Sequence, residues 1–113
     1  MAKLLCIEDS KEFQFLIAKA LSGYDIDFAD TIDASRTALE KNRSYDLVLL
    51  DLGLPDGDGT RFLSEMRLSD SLKNMPVFII SSDTNILSKI TAFSLGADDY
   101  ICKPFHPMEL KAR

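Results

Sequence analysis

Carboxylate, hydroxyl and ammonium side chains stand directly after apolar runs in this chain. Glu8 and Asp9 follow Leu4-Leu5-Cys6-Ile7, and Asp51 follows Leu47-Val48-Leu49-Leu50. Ser81 follows Val77-Phe78-Ile79-Ile80, and Lys103 follows Tyr100-Ile101-Cys102. Carboxylates packed together resist ionisation unless a cation sits among them. Oxygen ligands suit a hard cation such as magnesium, which takes a few carboxylates and keeps several waters. Glu8, Asp9 and Asp51, with a backbone carbonyl, are therefore candidate ligands. A carboxylate can also act as a nucleophile and form an aspartyl phosphate. Catalysis of such a transfer is mainly alignment and charge neutralisation. Asp51, the single acid beside the pair, is the candidate nucleophile. Ser81 can donate to one phosphoryl oxygen and Lys103 can pair with another. Each residue also has a plainer reading: Glu8 and Asp9 as helix N-terminal acids, Ser81 as a strand-end hydroxyl, Lys103 as a surface lysine. Their joint placement favours the chemical one.

Meeting at one place requires particular elements. Apolar runs predict strands over residues 3–7, 25–29, 46–50, 77–80 and 99–102. The second is the most polar and reads as an edge. Between them lie helical patterns. Ser10 is a candidate N-cap, with Phe13, Leu16, Ile17, Ala20 and Leu21 on the inward face and Gly23 at the stop. Further helices are predicted over residues 33–42, 60–68 and 84–95. Gly53-Leu54-Pro55-Asp56-Gly57-Asp58-Gly59 is a dense turn signal. A last helix opens near Pro107 and is incomplete at Arg113. Strict βα alternation implies a doubly wound parallel sheet with right-handed crossovers and helices on both faces. In such sheets the functional crevice lies at the carboxyl ends of the strands, where Glu8, Asp9, Asp51, Ser81 and Lys103 fall.

Composition narrows the classes. The 113 residues suit one domain. The net charge of −5 argues against nucleic-acid binding by this segment. No apolar run approaches the roughly 20 residues of a membrane span, and no secretory signal is visible. Cys6 and Cys102 read as free, core-type thiols. A single histidine, His106, argues against a zinc site.

Four stretches in order carry a resemblance that covers essentially the whole chain. They are Glu8-Asp9; Leu49-Leu50-Asp51-Leu52-Gly53-Leu54-Pro55-Asp56-Gly57-Asp58-Gly59; Pro76-Val77 through Ser81; and Gly96-Ala97-Asp98-Asp99-Tyr100-Ile101-Cys102-Lys103-Pro104-Phe105. The chain resembles the receiver domains of bacterial two-component response regulators, the CheY-like members of the flavodoxin-like fold. The resemblance implies a five-stranded parallel sheet of order 2-1-3-4-5. It implies that Glu8, Asp9 and Asp51 hold Mg2+ with the backbone carbonyl of Gly53. Asp51 would accept a phosphoryl group from a phosphohistidine on a sensor histidine kinase or histidine phosphotransfer protein. Lys103 matches the phosphate-pairing lysine, Ser81 the switch hydroxyl, and Tyr100 the aromatic that turns inward with it. The implied activity is a cytoplasmic signalling switch with self-catalysed transfer and autodephosphorylation, not an enzyme with a separate substrate.

The same resemblance implies a longer protein with a C-terminal output region. It also implies a possible homodimer through the face of helix 4, strand 5 and helix 5, with Lys89, Asp99 and Arg113 in cross-subunit pairs and Ile86 and Phe93 as an apolar patch. Glu8 stands where aspartate is more frequent, and it retains the carboxylate. Gly53 and Asp83 occupy loop positions that tune dephosphorylation in such domains. A scaffold that no longer takes phosphate is disfavoured, because the acids, Ser81 and Lys103 are all present. A haloacid-dehalogenase-type phosphatase would want a second acid where Gly53 stands. A flavin site would want a phosphate-cradling loop where Glu8-Asp9 stands.

Overall fold

Leu4-Leu5-Cys6-Ile7 makes up most of β1 (Lys3–Ile7), whose last four residues are all buried. A strand covered on both faces needs such an unbroken apolar run. A computed structural model describes residues 3–41, 45–54, 57–81 and 86–102. After β1 come α1 (Lys11–Ala20), β2 (Asp25–Ala29), α2 (Ile32–Lys41) and β3 (Leu47–Asp51). A short hairpin follows, β4 (Gly53–Leu54) with β5 (Gly57–Asp58), and then α3 (Gly59–Leu68), β6 (Val77–Ser81), α4 (Ile86–Ser94) and β7 (Asp99–Cys102). The predicted last helix and residues 84–85 of the fourth lie outside the described residues.

The long strands form one parallel sheet of order β2-β1-β3-β6-β7. Counting those five alone, this is the expected order 2-1-3-4-5. Side chains alternate between two apolar layers. Leu5, Ile7, Val48, Leu50, Val77, Ile79 and Tyr100 face the layer filled by Ile32 and Leu39 of α2, Phe62, Leu63 and Met66 of α3, and Ala92 of α4. Leu4, Cys6, Leu49, Ile80 and Ile101 face Ile17 of α1 and the following Leu21. Cys6 and Cys102 are free thiols. No described helix is long and apolar enough to cross a membrane.

Some details differ from the sequence reading. β3 and β6 each run one residue further, because the ladder continues through Asp51 opposite Ile80 and Ser81 opposite Cys102. Leu16, expected inward, is exposed. The buried pair Ile17 and Leu21, four residues apart, centres the packed face, and Leu16 falls beside it. At the start of α1, Ser10 caps as expected: its hydroxyl accepts from the Phe13 amide at 3.3 Å. The turn after α1 uses the left-handed conformation of Gly23, φ +97°.

The amino ends of the strands are tied by polar contacts. The Lys3 ammonium lies 3.8 Å from Asp25 and 3.7 Å from Asp27, and the Tyr45 hydroxyl donates to Asp27 at 2.6 Å. Burial, then the Asp27 carboxylate, pushes the Tyr45 phenol up to about 12. Arg67 of α3 closes the same end of β6 and β7. Its guanidinium donates twice to the Gly96 carbonyl (3.0 and 2.7 Å), to the Met75 carbonyl (2.7 Å) and to the Asp98 carboxylate (3.2 Å). Asp98 in turn accepts the Val77 amide at 2.8 Å. Gly96 has φ +107°, and a Cβ there would lie 2.7 Å from Arg67 Nε.

Two outcomes follow from these contacts. Arg67→Ala should lower stability in urea unfolding by about 2–4 kcal/mol, because it strands charge-assisted acceptors. Lysine should restore little of this, since it lacks the planar fork. Because the folded state holds the Tyr45 proton more tightly, its contribution is intact below about pH 10 and is lost as pH rises towards 12. Tyr45→Phe should flatten that alkaline fall in a pH series of unfolding curves.

Candidate metal and phosphoacceptor site

Sheet register decides which acids meet. Ile7, the last residue of β1, lies opposite Leu50, so the next residues along the two chains, Glu8 just past β1 and Asp51 at the end of β3, come side by side. Glu8 is 1% exposed and Asp51 6%, whereas Asp9 is exposed. One carboxylate oxygen from each of Glu8, Asp9 and Asp51 lies within 4.8 Å of the other two.

The chain holds Glu8 firmly. Its amide donates to the Ala29 carbonyl at 2.9 Å, continuing the pairing with β2. Its carbonyl accepts from Gln14 Nε2 at 2.6 Å, and its Oε1 accepts from the Ser10 amide at 3.0 Å. Ser10 also caps α1, so one turn sets both the helix start and the carboxylate. Gln14 went unnoticed in the sequence reading. The available signal was a polar side chain one helical turn beyond the cap, facing back towards the strand end.

Asp51 is set by β3 on one side and by the start of α3 on the other. The Gly59 amide donates to the Leu52 carbonyl at 3.2 Å. A Cβ on Gly59 would stand 2.7 Å from the Asp51 carbonyl oxygen and 2.8 Å from Leu52 Cα. Gly59 thus lets the helix start against the backbone that carries the candidate nucleophile. In sequence it read only as part of a turn. The stretch after Asp51 is not plain loop either, since Gly53 and Leu54 pair with Asp58 and Gly57 as an antiparallel hairpin.

The donor set fits a hard cation. Oxygens bound to one octahedral magnesium lie roughly 3 Å apart when adjacent and roughly 4.2 Å when opposite, and the three carboxylate oxygens lie within 4.8 Å of one another. Bringing three acids together, two of them buried, without a positive partner would be strongly unfavourable. Glu8, Asp9 and Asp51 would hold the ion.

Ser81 ends β6, 5% exposed. Ser81 pairs with Cys102, and Ile79 pairs with Tyr100. Alternation along β6 and β7 therefore places Ser81 and Tyr100 on the same face of the sheet, diagonal to each other. Tyr100 is 7% exposed, so its ring lies inward. Lys103, Asp83 and Arg113 lie outside the described residues, as does the side chain of Ile86. Of the remaining predicted dimer-face residues, Phe93 is exposed, and the Asp99 carboxylate accepts the Tyr100 amide at 2.8 Å.

Comparisons with known proteins bear on the family and the fold. The family model for the response regulator receiver domain matches residues 4–113. The KDP operon transcriptional regulatory protein KdpE of Escherichia coli (strain K12) is 38% identical over all of this chain and 49% of its own length. The chain thus spans about half the length of the curated relatives it matches. A response regulator structure from Chloroflexus aurantiacus J-10-fl superposes with a TM-score of 0.92 at 29% identity, covering 99% of this chain and 93% of that one. The BeF3-activated DrrB receiver domain superposes with a TM-score of 0.86 at 25% identity, covering 100% and 93%.

Gly59→Ala tests how tightly α3 abuts Asp51. The added methyl must push backbone rather than a flexible side chain. It should lower stability by about 1–3 kcal/mol in urea unfolding and weaken divalent-ion binding in the same protein. A variant with unchanged stability and ion affinity would contradict the close packing.

Proposed function

The chain belongs to the response regulator receiver domain family, and from that footing we propose that it is a magnesium-dependent phosphoacceptor switch. Asp51 takes the phosphoryl group from a phosphohistidine on a sensor histidine kinase or a histidine phosphotransfer protein. The observation that carries this reading is the approach of Asp51 to Glu8 and Asp9 within 4.8 Å at the carboxyl edge of the sheet.

In the transfer, an Asp51 carboxylate oxygen bonds to phosphorus as the phosphorus–nitrogen bond to the imidazole breaks. The imidazole nitrogen keeps the electron pair. Bound magnesium would neutralise the phosphoryl oxygens. The protein's own part is alignment. β3 and Gly59 hold Asp51, and Ser10 and Gln14 hold Glu8. Lys103 pairs with one phosphoryl oxygen and the Ser81 hydroxyl donates to another. Hydrolysis by water later returns Asp51 to its carboxylate. Gly53, whose backbone carbonyl is the further metal ligand we assign, offers no side chain to hold that water.

The switch is the pair Ser81 and Tyr100, which share one face of β6 and β7. A phosphoryl group on Asp51 draws Ser81 towards it and favours the inward Tyr100 ring, a local charge event biasing a two-state element. The altered face around α4 then acts on an output region or on a second copy of the chain. The apolar side chains exposed on α4, Leu87, Ile90 and Phe93, favour the homodimer as one such output.

Asp51→Asn should keep the fold by circular dichroism yet lose acetyl-phosphate labelling; persistent labelling would mean a different nucleophile. Glu8→Gln should raise the magnesium Kd by roughly tenfold or more, given that even outer partners of a metal site are worth 10–100-fold. Wild-type protein that bound no beryllium fluoride at high magnesium would instead be a scaffold.

A further inference from the structure

Few of the described side chains of α4 are enclosed by the rest of the molecule. Among its described residues only Ala92 is fully buried, while Leu87, Ile90 and Phe93 are exposed. Just beyond its C-terminal end, Arg67 clasps the helix turn through the Gly96 carbonyl. Nearer the middle of α4, Lys89 is partly buried, and its Nζ stands 5.7 Å from the centroid of the Tyr100 ring. An ammonium over an aromatic face is attracted by the ring quadrupole, more so when water is partly excluded. The geometry exists only while the ring lies inward on the α4 side of β7. A ring turned outward would leave the ammonium behind.

We propose that Lys89 is a positioning residue of the switch. Its ammonium holds Tyr100 in the buried rotamer and so couples α4 to the Ser81 end of the sheet. The consequence for phosphorylation rests on the phosphoacceptor reading above; the hold on the ring does not. A group that favours one of two states must strengthen any ligand favouring the same state, and the effect is reciprocal. Lys89 and a phosphoryl mimic at Asp51 therefore support each other through the inward ring. This is an intrachain role, distinct from a cross-subunit ion pair for the same lysine.

The test uses the chain with its three tyrosines replaced by 3-fluorotyrosine, followed by fluorine NMR and a beryllium fluoride titration with magnesium. Tyr100→Phe assigns the Tyr100 resonance. Lys89→Met keeps an apolar stem without charge, and Lys89→Arg keeps a cation over the ring. Lys89→Met should move the Tyr100 resonance towards that of the exposed Tyr24 and weaken beryllium fluoride binding about fivefold, or about 1 kcal/mol. Lys89→Arg should restore both. An unmoved Tyr100 resonance in Lys89→Met overturns the proposal, including the case where only dimerisation is lost. A moved resonance with wild-type beryllium fluoride affinity overturns the coupling. Wild-type protein that binds no beryllium fluoride, while Lys89→Met still moves the ring, defeats the phosphoacceptor reading and leaves the lysine's hold on Tyr100 standing.

Discussion

Negative charge buried at the carboxyl edge of a parallel sheet is the constraint around which this molecule is arranged. Glu8 and Asp51 are almost wholly enclosed, and Asp9 brings a third carboxylate within reach. In a low-dielectric setting such groups repel and lose hydration. Neighbouring segments fix the backbones that carry them. Glu8 is bound to β2 and α1 through Ala29, Ser10 and Gln14, and Asp51 is the last residue of a strand paired on both sides. The repulsion is sustained by the two apolar layers that flank the sheet. Positive charge among the carboxylates would offset that cost, which is what the cation of the proposed function would supply.

The two ends of the sheet contrast in how charge is managed. At the amino ends, acids meet partners within the chain: Asp25 and Asp27 with Lys3 and Tyr45, Asp98 with Arg67. At the carboxyl ends, three acids converge. Among the described residues, the ion pairs that tie strand ends together lie at the amino end. The Arg67 clasp extends this division to α4, since it secures the turn after the helix while most described side chains along its length stay exposed. A helix tied at one end, with most of its described side chains exposed, can move at the cost of few contacts.

Much of this was legible from local pattern. The bounds of β1, β2 and β7 agree with the sequence reading; for β1 the reason is that a strand buried on both faces leaves a continuous signal. The cap at Ser10 and the stop at Gly23 were equally plain, since both depend on a residue's own side chain or lack of one. Less legible were features that depend on a partner distant in sequence. β3 and β6 extend through Asp51 and Ser81 because neighbouring strands continue the ladder there. Leu16 is exposed because the packed face of α1 is centred on Ile17 and Leu21. Gly59 looked like one more turn glycine until its distance to the Asp51 backbone was known.

Residue types and their places at the ends of apolar runs were enough to name Glu8, Asp9, Asp51 and Ser81 and to predict an alternating α/β sheet. Alternation alone does not say which strands are neighbours. The family resemblance implied that β1 lies beside β3; the tertiary structure decides that Ile7 is level with Leu50 and that the three carboxylates converge. It also decides that Ser81 and Tyr100 share a face and that Lys89 reaches the Tyr100 ring. The reason is physical. Burial and capping are properties a short segment announces by its own polarity, whereas register, facing and convergence arise when separate segments satisfy one another's hydrogen bonds and fill a common core.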